Sequence, residues 1–321
     1  MKPLEPSEVE IKELILLFDK KKFDELLRLS NDLLNEFPNS ILLQNIQGVV
    51  HTELKNYKLA KNLFMKVVNL KPKYTDGYYN LALVYSKLDQ EDKAIENYIK
   101  VIKLDSNYFK AHNNLGNIYR KKGLNKKAIE CYLSTLEINS NYKVAYYNLA
   151  GVLQFYILNV ENKKINKYLL YLLKEKIIVR PNSIAHNVLN GLFLNTDLKK
   201  NLSLVKNKIT NKDFDYILEN LQENPLLMQF MKVCPISDYY IEKKLVNIRK
   251  EILNQTYNLK IDKTQIDFLI SLSSQCLLNE YIYGQTKDEK EKIIVRPNSI
   301  APNILKSLFL NTDLKENLSL V

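Results

Sequence analysis

Asparagine recurs at a fixed interval in the first half of the chain. The interval from Asn80 to Asn114 equals the interval from Asn114 to Asn148. A side-chain amide has both a donor and an acceptor, so a row of amides can pair with the N–H and C=O groups of an extended peptide. Such a row would bind a peptide with little preference for its sequence. A second interpretation is that asparagine caps or hydrates a helix at this position, and the sequence leaves both open.

Residue types that support catalysis do not form a recognisable constellation. The histidines His51, His112 and His186 are isolated, and His112 stands at a position that is aromatic in the neighbouring segments. A nucleotide or S-adenosylmethionine site needs a Gly-rich turn. No two of the seven glycines stand within two residues of each other, so that turn is absent from this sequence. We therefore predict no catalytic residue, no cofactor and no enzyme activity.

Composition favours a soluble, cytoplasmic protein whose partners are proteins. The net charge is +11, but only five of the 47 basic residues are arginine, the residue that dominates specific phosphate and guanine contacts. This argues against nucleic-acid binding. Cys131, Cys234 and Cys276 lack CxxC spacing, which argues against disulfides and a metal site. No stretch approaches the roughly 18 apolar residues of a membrane span. The N-terminus does not resemble a signal peptide.

The asparagines belong to a repeat that must position them. Residues 75–108 and 109–142 align without gaps, and the frame extends back through 41–74 and forward into 143–155. The length of one such unit, the repeat length, equals the interval between the asparagines. Each unit has a small residue, then an alanine, then an aromatic residue, at fixed spacing. The positions are Gly48, Ala82, Gly116 and Ala150; Ala60, Ala94 and Ala128; and Phe64, Tyr98 and Tyr132. Small residues let two helices approach closely, and aromatic residues fill the space between helix pairs.

This pattern resembles the tetratricopeptide repeat, in which antiparallel helix pairs stack into a superhelix with a concave groove. The resemblance implies an all-α fold with a tetratricopeptide superhelix, an α-solenoid, over residues 1–155. The frame predicts a degenerate first repeat over 8–37, in which Leu26 replaces the small alanine. Three regular repeats and one further helix, 143–155, complete the predicted domain.

The resemblance also implies where the asparagines lie, because the inner helix of each repeat faces the groove. Their row is similar to the asparagine ladder in the repeat domain of protein O-GlcNAc transferase. The two-carboxylate clamp of chaperone-binding relatives is incomplete, because Asn114 stands where that clamp needs arginine. The predicted function is a non-catalytic scaffold that binds an extended peptide or partner protein. Candidate groove residues are Asn80, Asn114, Asn148, Tyr79, Asn113, Asn117, Arg120 and Tyr147, with Leu83 and Gln154 as neighbours.

The second half is predicted to be an irregular helical extension, residues 156–289. Asn224–Leu253 and Leu272–Tyr283 resemble the helical middle region of bacterial tetratricopeptide repeat proteins that continue into an S-adenosylmethionine-dependent methyltransferase domain. The alternative function is therefore the N-terminal recruiting portion of such an enzyme, with the catalytic domain absent from this chain. Capping residues and apolar spacing predict helices over Asn162–Ile178, Pro181 or Ser183 to Leu194, Asn211–Leu221, Pro225–Val233, Ser237–Leu253 and Asp262–Ile282.

A segment of the second half occurs twice. Lys174–Val205 recurs as Lys290–Val321, and only five of the 32 positions differ. Packing alone preserves apolar residues and not surface lysines and asparagines, so a recent duplication or a joining artefact explains the near-identity. The first copy continues into further predicted helices, whereas the sequence stops at the end of the second. We expect residues 290–321 to be a truncated duplicate of 174–205.

Deletion of Lys290–Val321 is expected to leave the free energy of unfolding unchanged and to raise solubility. Apolar residues of this copy, such as Phe309, lack the following helices that we expect to cover Phe193 in the first copy. An apolar set left exposed promotes association. Chemical denaturation and sedimentation of the full and shortened chains measure the two quantities. A loss of more than about 2 kcal/mol, the scale of burying one large apolar side chain, would instead make the second copy part of the fold.

Overall fold

A computed structural model describes the repeat region and parts of the second half. The residues described are 5–158, 162–175, 181–193, 200, 203, 216, 221, 224–234, 243–245, 247–248 and 271–272. Every regular element among them is an α-helix, which confirms the predicted all-α fold. The chain divides into two units, Met1–Ala145 and Tyr146–Val321.

The first unit consists of helix pairs in the predicted frame. The inner helices are α1 (Glu8–Asp19), α3 (Ile41–Glu53), α5 (Thr75–Lys87) and α7 (Phe109–Lys121). The outer helices are α2 (Phe23–Glu36), α4 (Tyr57–Leu70), α6 (Glu91–Leu104) and α8 (Asn125–Ile138). Each of these helices packs against the next in the chain. The degenerate first repeat is therefore a helix pair like the others.

Helix α9 (Lys143–Leu153) begins at the residue where the repeat frame predicts it. The boundary between the two units falls within this helix, between Ala145 and Tyr146. The predicted limit of the repeat domain at residue 155 stays a prediction.

One residue in each turn between an inner and an outer helix has a left-handed backbone. Lys21, Lys55, Asp89 and Gly123 have φ angles of 56°, 61°, 54° and 72°. The next residue then donates its N–H to a carbonyl of the inner helix, as Gln90 does to Tyr85 at 2.9 Å. This bond closes a C-terminal cap of the Schellman type. Only Gly123 lacks the Cβ that disfavours this conformation, so three repeats form the turn with a less suitable residue.

Within a repeat, the inner helix contacts the outer helix where a small residue meets an aromatic ring. A Cβ atom added to Gly48 would lie 2.5 Å from Cε1 of Phe64, and one added to Gly116 would lie 2.7 Å from Cε1 of Tyr132. The predicted packing role of the alanine and aromatic positions is confirmed, because each of these residues is at most 1% exposed: Phe64, Tyr98, Tyr132, Ala60, Ala94 and Ala128.

Three helices are described in full in the second unit. They are α10 (Lys163–Lys174), α11 (Asn182–Phe193) and α12 (Pro225–Val233), and α10 packs against α12. The side chains of Asn162 and Asn224 accept backbone N–H bonds at the starts of α10 and α12, as expected of N-cap residues. Helix α12 has the predicted limits, and α10 and α11 lie within the predicted segments.

Several predictions concern residues outside the described ones. They are the truncated duplicate Lys290–Val321, most of Asn211–Leu221, Ser237–Leu253 and Asp262–Ile282, and the methyltransferase-like run Leu272–Tyr283 after its first residue. Among the helices that the structure describes, none is both long enough and apolar enough to cross a membrane.

Replacing Ala94 with leucine is expected to lower the free energy of unfolding by about 1–3 kcal/mol, because added atoms overpack a close helix contact. Ala94 is fully buried on α6. The matched control is Glu96→Leu, which adds the same side chain at an exposed position of the same helix. Urea denaturation measures both variants. If Ala94→Leu and Glu96→Leu are equally stable, Ala94 does not lie at a close contact between helices.

Candidate functional site

The recurring asparagines connect successive inner helices. Nδ2 of Asn80 on α5 donates to Oδ1 of Asn45 on α3 at 3.0 Å. Nδ2 of Asn114 on α7 donates to the hydroxyl of Tyr79 on α5 at 3.1 Å. Asn45 and Tyr79 are themselves one repeat length apart. The same donor position therefore bonds the same acceptor position of the preceding repeat, whether that acceptor is an amide or a phenol.

The amide of Asn114 is engaged on both sides. Its nitrogen also lies 3.4 Å from the hydroxyl of Tyr98, and its oxygen accepts from Nδ2 of Asn113 at 3.3 Å. Asn113 is only 2% exposed, so this predicted groove residue lies in the packed interior. An external peptide would find only the remaining lone pair on the Asn114 oxygen. The sequence did not indicate this role between repeats.

Tyrosine rings surround the Asn114 amide. The Tyr79 ring packs edge-on to Tyr98 with centroids 5.9 Å apart and lies 5.0 Å from the ring of Tyr108. Burial is the main cause that raises the pKa of both Tyr79 and Tyr98, although the Asn114 bond acts in the opposite direction. The phenols therefore stay protonated at neutral pH. The hydroxyl of Tyr108 donates to Asp76 at 2.9 Å.

A cavity of about 260 Å³ lies among α5, α6 and α7, beside this cluster. Two predicted site residues, Asn114 and Asn117, line it together with the neighbouring candidate Leu83. Oδ1 of Asn117 accepts from the hydroxyl of Tyr132 at 2.9 Å. Its Nδ2 has no partner among the residues that the structure describes. The remaining lining residues are Ser86, Lys87, Glu91, Tyr98, Ile118 and Lys121.

Charged side chains line part of this cavity. Nζ of Lys121 lies 2.8 Å from Glu91 and 2.9 Å from Asp89. Its hydrogen bonds to Glu91 and then Asp89 raise the pKa of the Lys121 amine. Lys122 pairs with Asp92 at 2.8 Å. Lys87 occupies the position equivalent to Lys121 and has no ion pair among the described residues. The cavity therefore offers one cation without an acidic partner in the described part of the chain.

Family comparisons match the same region. Models described as tetratricopeptide repeat match residues 43–74, 63–96 and 109–142, and one described as TPR repeat matches residues 90–123. Residues 43–142 are tetratricopeptide repeats. The matched residues include helices α4 to α8 in full and all of α3 except its first two residues. The methyltransferase-like resemblance of Asn224–Leu253 has no counterpart in these matches and stays a prediction.

Solved structures with similar folds cover about half of this chain. A crystal structure of MamA is 23% identical in sequence, with a TM-score of 0.46. The alignment covers 54% of this chain and 96% of the MamA chain. YrrB, described as a TPR protein with an unusual peptide-binding site, is 20% identical, with a TM-score of 0.42. That alignment covers 55% of this chain and 88% of the YrrB chain. MamA from Desulfovibrio magneticus RS-1, from residue 41 to the end, is 16% identical, with a TM-score of 0.46. That alignment covers 53% of this chain and 94% of the MamA chain. No curated protein sequence matches.

Not all predicted site residues meet at the cavity. Arg120 is exposed on α7 and does not line it. Tyr147, which is 54% exposed, and Asn148 belong to the second unit. Lys87 and Lys121 were not predicted as site residues from the sequence. The signal that could have found them is their position within the tetratricopeptide frame, since Lys87 and Lys121 follow Leu83 and Asn117 by one helical turn.

Replacing Asn114 with alanine is expected to lower the free energy of unfolding by about 1–2 kcal/mol. The Asn113 amide and the hydroxyls of two tyrosines each lose their hydrogen bond to Asn114. The control is Asn69→Ala at an exposed position of α4, where helix propensity favours alanine. Thermal and urea denaturation of both variants measure the difference. If the two variants are equally stable, the bonds between repeats contribute nothing to the fold.

Proposed function

We propose that the protein is a non-catalytic interaction scaffold whose inner face binds an extended peptide segment of a partner protein. The inner face is the surface formed by α1, α3, α5 and α7. The observation that carries the proposal is the cavity among α5, α6 and α7, which is lined by Leu83, Asn114 and Asn117. The tetratricopeptide repeats over residues 43–142 support a role in binding proteins.

The size and lining of the cavity favour one side chain of a longer ligand. Sites for drug-sized molecules are usually about 300–1,000 Å³, and this cavity is about 260 Å³. Leu83 and Ile118 offer apolar surface, while Nδ2 of Asn117 and Nζ of Lys87 offer donors. An extended peptide can place a side chain between such walls and pair its backbone with the donors around them.

The asparagine positions then have two different roles. Asn80 and Asn114 set the spacing of the inner helices through their bonds to Asn45 and Tyr79, so we assign them as positioning residues. Nδ2 of Asn117, which has no partner among the described residues, contacts the peptide. Asn148, Tyr147 and Arg120 remain candidates for contacts beyond the cavity.

The test is a selection of random displayed peptides on the full chain, followed by affinity measurements on two glutamate variants. Leu83→Glu places a carboxylate in the cavity, where it removes apolar surface and competes for the donors, and is expected to weaken binding of the selected peptides by at least about tenfold, or 1.4 kcal/mol. Leu59→Glu makes the same substitution at a residue that is 52% exposed on the outer helix α4, and it should bind like the wild type.

Two results would overturn this function. One is a selection that enriches no peptide. The other is a set of peptides whose affinity is the same for wild type, Leu83→Glu and Leu59→Glu, since binding would then occur away from the inner face. Circular dichroism of each variant shows whether a loss of binding reflects unfolding.

A further inference from the structure

A second cavity lies on the inner face near the start of the chain. It has a volume of about 160 Å³ and lies between α1 and α3. Five of its lining residues, Leu14, Ile15, Phe18, Ile46 and Val49, are apolar, and the sixth is Asn45. The sequence predicted only a degenerate first repeat in this region. Ile15 is 51% exposed and so presents apolar surface at the mouth of the cavity.

The two cavities occupy the same place in the repeat. Ile15 and Phe18 of α1 precede Leu83 and Ser86 of α5 by two repeat lengths. Ile46 and Val49 of α3 precede Asn114 and Asn117 of α7 by the same interval. Four lining positions of one cavity are therefore equivalent to four of the other. In both, a pair of successive inner helices forms the walls.

The residues at these equivalent positions differ in chemistry. Phe18 is replaced by Ser86, Ile46 by Asn114 and Val49 by Asn117. The α1/α3 cavity is thus built for an apolar group, whose burial is favourable at about 25 cal/mol per Å². The α5/α7 cavity has polar walls on the side of α7 and two lysines at its edge.

The available polar groups of the α5/α7 cavity are mainly donors. The hydroxyl of Ser86 donates to the carbonyl of Ala82 at 3.0 Å. Glu91 already binds Lys121 at 2.8 Å. Nδ2 of Asn117 and Nζ of Lys87 are without partners among the described residues. Hydrogen bonds from an ammonium are stronger to a charged acceptor than to a neutral one, so these two donors favour a carboxylate of a peptide.

We propose that one extended peptide binds both cavities through two unlike anchors, an aliphatic or aromatic side chain in the α1/α3 cavity and a carboxylate in the α5/α7 cavity. This proposal rests on the proposed function and adds the chemistry of the ligand. The carboxylate belongs to an Asp or Glu side chain or to the peptide's C-terminus.

The geometry of the repeats gives the spacing of the anchors. Packed helices lie about 8–10 Å apart, so cavities two repeats apart are separated by roughly 16–20 Å. An extended chain spans about 3.3 Å per residue. The apolar residue and the carboxylate are therefore expected about five or six positions apart in the ligand.

The experiment reads the sequences that the full chain selects from two random peptide libraries, one with free C-termini and one with C-terminal amides. The expected result is enrichment of an apolar residue at a fixed distance from an acidic residue. If the carboxylate comes from a side chain, both libraries give this pattern. If it comes from the C-terminus, only the free-acid library gives binders, with the apolar residue at a fixed distance from the end.

Two variants test the anchors separately. Lys87→Glu is expected to weaken binding of the selected acidic peptides by about tenfold and to remove the acidic preference while keeping the apolar one. Ile15→Asn is expected to remove the apolar preference and keep the acidic one. The control is Lys66→Glu, the same charge reversal at an exposed position of the outer helix α4, which should change neither preference.

The possible failures are distinguishable. Selected peptides that lose affinity with Leu83→Glu but carry no acidic residue would leave the proposed function standing and overturn the two-anchor ligand. A selection without any binder overturns both. Concentration-dependent dimers that Ile15→Asn abolishes, with no enriched apolar residue, would make the α1/α3 cavity a contact between copies of this chain and overturn the proposal.

Discussion

The contact between a small residue of an inner helix and an aromatic ring of its outer helix sets the geometry of the regular repeats. No Cβ fits at Gly48 beside Phe64 or at Gly116 beside Tyr132 without displacing a buried ring. Protein interiors are close-packed, so a ring wedged against a backbone fixes the distance between the two helices. Because the small and aromatic positions recur in residues 41–74, 75–108 and 109–142, equivalent positions of α3, α5 and α7 face the same surface.

Because the backbone geometry repeats, a few side chains determine the chemistry of the inner face. The bonds from Asn80 to Asn45 and from Asn114 to Tyr79 use equivalent positions to join neighbouring inner helices. The cavities between inner helices are then equivalent in place, while their lining changes from Val49 to Asn117 over two repeats. A ligand that lies along such a surface meets a different environment at each repeat, and this is how one backbone arrangement can recognise an extended sequence.

The sequence predicted the helices well because their determinants are local and periodic. The repeat length located even the degenerate pair α1 and α2, where Leu26 replaces the small alanine. Left-handed turns at Lys21, Lys55 and Asp89 were not predicted, because neither lysine nor aspartate marks such a turn as glycine does. The role of Asn114 was missed because the acceptor at the equivalent position differs between repeats. It is the amide of Asn45 for Asn80 and the phenol of Tyr79 for Asn114. The charge that the cavity offers depends on which lysine forms an ion pair. Lys121 is paired with Asp89 and Glu91, whereas Lys87 has no acidic partner among the described residues. Sequence spacing alone does not show this difference.

Photo-crosslinking from the two cavities tests whether one extended peptide lies along the inner face. A benzophenone amino acid is placed at Ile15, at Leu83 or, as the outer-face reference, at Leu59, and each protein is irradiated with a selected peptide. Mass spectrometry then identifies the labelled peptide residue. We expect labelling next to the apolar anchor from position 15, labelling next to the carboxylate from position 83, and none from position 59. Labelling from position 59 alone, or the same peptide residue labelled from positions 15 and 83, would contradict an extended peptide bound along the inner face.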